Sequence, residues 1–164
     1  METQRKMPWT SADALCLFDF STDDFQDAKL TTFFKYWQER CRGRTMPARE
    51  DLDPTEIPPA ILPYVCLFEV VPGPRFRVKL AGTEAVAQSG VAATGHFVDS
   101  VPGGEGVQER MSQAVQRKQP YYCRTRLTWS LYDFKSYETV MCPLSGPVPD
   151  EVGYLVNVTV FSLS

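Results

Sequence analysis

The feature that most constrains this chain is the stretch from Met46 to Pro63, which carries five prolines, at 47, 54, 58, 59 and 63. Proline fixes φ and has no N–H, so this stretch cannot be one long helix or a central strand. It reads as a stiff lead-in to a domain. Asp53 is placed to cap a short turn, Pro54 suits the first helical position, and Glu56 completes a capping box. The apolar run Tyr64-Val65-Cys66-Leu67-Phe68 follows at once and reads as a strand.

Helical spacing precedes the prolines. Leu30, Phe33, Phe34, Trp37 and Cys41 fall on one helical face, which predicts a helix over 30–42 with Asp27 at its start and Gly43 at its stop. Beyond the prolines, Phe76, Val78 and Leu80 alternate with Arg75, Arg77 and Lys79, a strand with one wet face. Gly82, free to take φ > 0, and Thr83 open a short helix that Gly90 closes. Val107, Met111, Ala114 and Val115 predict a second amphipathic helix near 106–118, ended by Pro120. Three strands close the chain, at 122–129, 136–144 and 154–163, with Tyr132-Asp133 and Ser145-Gly146-Pro147 in the connections. On the last strand Tyr154, Val156, Val158 and Val160 share one face.

The fold class is therefore α+β, a five-stranded antiparallel sheet with short helices on one face, plus an N-terminal helix. Residues 1–29 read as a partly ordered arm that packs on the domain or on a second subunit, and 30–164 as the domain with its flanking helix at 30–42. A chain of 164 residues can build its core without metal or disulfide. Net charge of −3 gives no electrostatic reason to expect nucleic acid or an anionic membrane as partner. The five cysteines include no C-x-x-C pair and read as buried reduced thiols, which fits a cytoplasmic location. No apolar run reaches the roughly 18 residues that a membrane span needs.

The order helix, strand, strand, short helices, helix and three strands resembles that of a PAS domain. Phe34-x-x-Trp37 is followed by Arg44-x-Met46-Pro47-x-Arg49-x-Asp51-Leu52-Asp53-Pro54 and Ile57-Pro58-x-x-Ile61-Leu62-Pro63. Phe76-Arg77-Val78-Lys79-Leu80-Ala81-Gly82-Thr83 and Thr94-Gly95 come next. Together these blocks resemble the bacterial PAS_5 family over residues 30–160 or so. The resemblance implies a sensory or protein-interaction module, most members having no assigned ligand. Where relatives often carry Arg or Lys after Thr-Gly, this chain has His96.

Chemistry-bearing residues are sparse. His96, the only histidine, could be a haem ligand or pH sensor, but a single loop histidine reads more simply as a solvated side chain. Cys66, Cys123 and Cys142 lack the polar surroundings that flavin photochemistry needs, and the glycines at 103, 104 and 106 do not form a P-loop. Arg40, Arg42, Arg44 and Arg49 make a basic knot that reads as a charged helix end facing water. Arg124 and Arg126 share a strand face that is either pocket or surface, and surface needs no buried partner for the guanidinium groups. Opposite them, Cys123, Thr125, Leu127 and Trp129 read as the core face.

These observations favour a non-catalytic regulatory module that binds a small ligand or a protein partner and signals through dimerisation or docking. The expected pocket lies between Phe76, Val78, Leu80, Met111, Val115, Tyr137, Thr139 and Met141. Phe33, Phe34 and Trp37 on the N-terminal helix are the expected interface of a homodimer. No cofactor and no metal is expected. The other readings are a small ligand carrier or enzyme with an enclosed cavity, and a purely structural dimerisation module.

Overall fold

The computed structural model describes residues 14–89, 93–101, 104–126 and 136–162. Among them, six strands form one antiparallel sheet: β1 (Ala14–Leu17), β2 (Val65–Val71), β3 (Arg75–Ala81), β4 (Tyr121–Arg126), β5 (Ser136–Ser145) and β6 (Val152–Ser162). Their order is β1-β4-β5-β6-β2-β3. The helices are α1 (Ala28–Cys41), α2 (Thr83–Ser89) and α3 (Gly104–Arg117). The α+β class is as expected, but the sheet has six strands where the sequence pattern predicts five. The extra one is β1, part of the segment read as an arm, which pairs Leu15 with Arg124, Cys16 with Cys123 and Leu17 with Tyr122.

Nearly all of β5 is buried, from Tyr137 through Ser145, so both of its faces need cover. Its Val140, Cys142 and Leu144 join a core with Leu30, Phe33, Phe34, Trp37, Val156 and Val158. Its Met141 joins a second core with Phe76, Met111, Ala114 and Cys123. Helices therefore roof both faces, not one. The last turns of the strand pattern at 127–135, including Leu127, Trp129 and the Tyr132-Asp133 connection, lie outside the described residues.

The α1 roof is built as the heptad-like spacing predicts. Asp27 caps the helix by accepting from the Lys29 N–H at 2.8 Å, and Arg42 ends it in the left-handed region with Gly43 following. Phe33, Phe34 and Trp37 are only 1%, 6% and 4% exposed. These side chains, read above as a dimer interface, are thus occupied inside their own chain, because the sheet face they meet is itself apolar. Trp37 Nε1 donates to the Pro143 carbonyl at 2.9 Å. In an antiparallel strand a residue's N–H and C=O point to the same side. The carbonyl of Pro143 faces Trp37, so its missing N–H costs β5 no bond to β6. Two residues on, the Ser145 N–H donates to the Pro47 carbonyl at 2.9 Å, and the proline-rich segment takes the place of a further strand there.

That segment is a series of three short 3-10 turns, at Arg49–Asp51, Pro54–Glu56 and Leu62–Tyr64. Met46, Leu52, Ile57 and Ile61 point inward from it and are buried under α1. Asp53 caps the middle turn as expected, accepting from Thr55 N–H at 2.9 Å. Glu56 closes no capping box; its carboxylate accepts from Tyr36 Oη at 3.0 Å and from Arg40 at 3.3 Å, binding the segment to α1. Gly82 is needed for a close approach and not for a positive φ, since a Cβ there would collide with the Pro63 carbonyl.

Two further expectations are corrected. Leu67 pairs with Leu80 and Phe68 with Val78, so Lys79 is an extra residue and β3 carries a bulge. The bulge turns Leu80 to the face opposite Phe76 and Val78, where it is 52% exposed. Cys16 and Cys123, facing each other across β1 and β4, form a disulfide, so these two are not free thiols; Cys41, Cys66 and Cys142 are.

Trp37→Ala removes a buried indole and orphans the Pro143 carbonyl. It should destabilise the protein by roughly 3–5 kcal/mol, a fall of roughly 6–20 °C in melting temperature for a chain of this size. Thermal unfolding followed by circular dichroism checks this; an unchanged midpoint would show that α1 does not carry this face of the sheet.

Candidate functional site

The second face of the sheet is covered less completely. A cavity of about 160 Å³ lies between the sheet, α2, the 93–101 connection and the first turns of α3. From the sheet come Cys66 and Phe68 on β2, Val78 and Ala81 on β3, Tyr121 on β4, Tyr137, Thr139 and Met141 on β5, and Asn157, Thr159 and Phe161 on β6. Ala85 and Val86 on α2, Ala93, Val98 and Val101 on the connection, and Gly104 and Val107 on α3 complete the wall. The hollow follows from side-chain size. Ala85, Ala93 and Gly104 are short where they face the sheet, and Ala81 is short on the sheet itself. Gly104 can hold no side chain at all, because a Cβ would collide with the Val98 carbonyl.

A second, larger hollow of about 430 Å³ runs between the proline-rich segment and β3, and the exposed Leu80 is on its wall. Both hollows are partly open to solvent, and this one contains no converging polar groups of the kind found in the first.

The cavity wall is mostly apolar with one polar strip. Asn157 Nδ2 donates to Thr159 Oγ1 at 2.9 Å and to Thr139 Oγ1 at 3.2 Å. Thr159 Oγ1 donates to Thr139 Oγ1 at 2.9 Å, and Thr139 Oγ1 to the Val158 carbonyl at 3.1 Å. Asn157 Oδ1 is buried and has no donor among the described residues. At another part of the wall, Tyr137 Oη accepts from the buried Arg110 at 2.9 Å. Burial pushes the Tyr121 hydroxyl well above the usual tyrosine range, against the pull of nearby Arg110, so it is protonated. Burial likewise pushes the Cys66 thiol up to about 11.

Of the eight residues expected in a pocket, the structure brings Val78, Tyr137, Thr139 and Met141 together on this wall. Phe76 and Met111 are fully buried behind it, and Val115 packs against them, so these three fill the core beneath α3. Leu80 lies on the other face because of the bulge. Sequence reasoning missed Asn157 and Thr159. The signal was present: they alternate with Val156, Val158 and Val160, and only that apolar set was taken as the important face of the strand.

The other singled-out residues lie elsewhere. The His96 side chain is exposed, and its backbone carbonyl accepts from Val78 N–H at 2.9 Å along the edge of β3. Arg40 and Arg44 pair with Glu56 and Asp51 at the surface. Arg124 is half-buried and lines a polar hollow with Gln26, Asp27 and Glu138; the Arg126 side chain lies outside the described residues. The face that Arg124 shares with Tyr122 is not plain surface. Tyr122 is fully buried and donates to Glu138, whose carboxylate also accepts from the backbone N–H groups of Gln26 and Asp27 at 2.6 and 2.9 Å. Glu138 thus ties the start of α1 to β5.

Among the described residues there is no cluster of His, Cys, Asp and Glu that could hold a metal ion, and no helix is long and apolar enough to cross a membrane. The PAS_5 family model of the PAS domain matches residues 25–98. The resemblance to that family is therefore shown over the stretch from the start of α1 to the turn at Val98–Ser100, and β4, β5 and β6 lie beyond it. The six-stranded antiparallel sheet is consistent with a PAS-like fold. The match points to the sensory or regulatory class of modules, which are generally non-catalytic. No curated protein and no solved structure matches the chain.

The raised Cys66 pKa predicts its alkylation behaviour. A thiol moved from 9.0 to about 11 holds about a hundredfold less thiolate at pH 8 than an unperturbed one. Iodoacetamide at pH 8, read by peptide mass mapping, should modify Cys66 about a hundredfold more slowly than a solvent-exposed model cysteine, with the rate climbing steeply up to pH 11. Reaction at the model rate would show that the cavity wall at β2 is open to water.

Proposed function

We propose that this chain is a non-catalytic sensory module that holds a small molecule in the cavity beneath α2 and the 93–101 connection, and passes its occupancy to a partner protein or a second copy. The observation that supports this reading is the unequal construction of the cavity. Its floor is strands β2 to β6 of the sheet; its roof is a seven-residue helix, a loop and the first turns of α3. A ligand touching both would favour roof positions that close on it and shift the population of the whole surface above. The wall also argues for binding over turnover. It brings no carboxylate, histidine, lysine or arginine among the described residues, and burial holds Cys66 and Tyr121 in their protonated forms. An enzyme would need a titratable pair there.

Benzene is a suitable first test compound, since an apolar cavity of about 150 Å³ accepts it and this one measures about 160 Å³. Saturation-transfer NMR should show it binding the wild-type protein. Hydrogen–deuterium exchange should show added protection in residues 83–101 and none in 28–64. Ala85→Phe, which fills space at a buried wall position, should abolish both signals while leaving the melting temperature within a few degrees. Absence of binding to wild type, or binding that Ala85→Phe leaves unchanged, would contradict the proposal.

A further inference from the structure

A positive charge is buried beside the cavity without a counter-charge. Arg110 on α3 is 8% exposed, and among the described residues no carboxylate pairs with it. Glu109, its neighbour on the helix, is exposed. One terminal nitrogen of the guanidinium donates to Tyr137 Oη at 2.9 Å, and the group also hydrogen-bonds the Tyr121 hydroxyl. Arg110 Nε is buried and has no acceptor. Phenol oxygens are neutral partners. They satisfy part of the hydrogen bonding and none of the charge, and a buried cation in that state is costly. An anion brought from outside the chain relieves that cost.

Two tyrosines connect this charge to the cavity. Tyr121 and Tyr137 both line its wall, as does Val107, one turn before Arg110 on the same face of α3. Each hydroxyl oxygen accepts from the guanidinium, which leaves the hydroxyl's own proton to donate, and among the described residues no acceptor takes either proton. A hydroxyl polarised by a cation is a better donor than an isolated one. The tyrosine part of the wall thus combines two unspent donors with a positive charge behind them, and most of the remaining wall is apolar. The volume of about 160 Å³ leaves room for one ring or a short branched chain. We infer that the site takes a small apolar monocarboxylate, its carboxylate against the Tyr121 and Tyr137 hydroxyls with Arg110 behind them as the counter-charge. This rests on the cavity being a binding site, as proposed above.

Benzoate, benzamide and toluene separate the possibilities by calorimetric titration against the full chain. Benzamide keeps the shape and the carbonyl acceptor of benzoate and lacks only the charge. Benzoate should bind about tenfold tighter than benzamide or toluene, the difference that a hydrogen bond to a charged group gives. In Arg110→Met, which keeps the length of the side chain and removes the charge, benzoate should lose that advantage while toluene is unaffected. Tyr137→Phe should weaken benzoate and leave toluene unchanged. Benzoate binding no tighter than benzamide in wild type would overturn the ligand class and leave the cavity reading standing. So would a benzoate preference that survives Arg110→Met. No binding of any of the three would overturn the cavity reading itself. Should Arg110→Met fail to fold, the wild-type comparison and Tyr137→Phe decide, and a benzoate preference untouched by Tyr137→Phe then counts against the assignment.

Discussion

The rest of the structure depends on β5 being buried on both faces. A strand with Val140, Cys142 and Leu144 on one side and Tyr137, Thr139 and Met141 on the other cannot face water on either, so the chain must supply two roofs. The first roof is α1 with the proline-rich segment. Its attachment uses the polar groups that would otherwise be stranded at the end of the sheet. Trp37 serves the Pro143 carbonyl, the Pro47 carbonyl serves Ser145, and Glu138 gathers the first free N–H groups before α1. The proline at 143 is tolerated in a central strand because β4 ends short of it and a helix covers the gap.

The two roofs differ in what they are made of, and the difference accounts for the site. Under α1 the rings of Phe20, Phe25, Phe34, Trp37 and Tyr122 meet at centroid distances between 5.1 and 6.3 Å and fill the space. Over the other face, α3 seals one half with Met111 and Ala114 against Phe76 and Cys123. The remaining half is spanned by α2 and the 93–101 connection with alanines and a glycine, and there the space stays open. The packing directly beneath α1 is filled, while the half-filled part beneath α2 has room for a molecule.

Much of this was legible in the sequence, for physical reasons that can be named. The aromatic spacing from Leu30 to Trp37 could only be a helix with one buried face, and the proline run could only be a chain of turns. Tyr137, Thr139 and Met141 followed from simple alternation. The failures share a cause: each needed knowledge of pairing between distant segments. Leu80 was misplaced because a bulge is a property of two strands in register, and nothing in Arg75-Phe76-Arg77-Val78-Lys79-Leu80 marks Lys79 as the extra residue. Leu15-Cys16-Leu17 fell within the segment read as an arm, because a strand there needs β4 to receive it, and the Cys16–Cys123 pairing follows from that register. Asn157 was passed over because a polar residue between valines reads as the wet face of a half-exposed strand, while in a sheet covered on both sides it becomes the polar spot in an apolar wall.

The central claim is that the space directly beneath α1 is filled and the space beneath α2 and the 93–101 connection is hollow. A crystal structure of the full chain under xenon pressure tests it most directly, since xenon enters dry apolar cavities and nothing denser. The account predicts a xenon peak between Val98, Ala85 and Met141, with no peak beneath α1. Xenon under α1, or none on the α2 side, would contradict it.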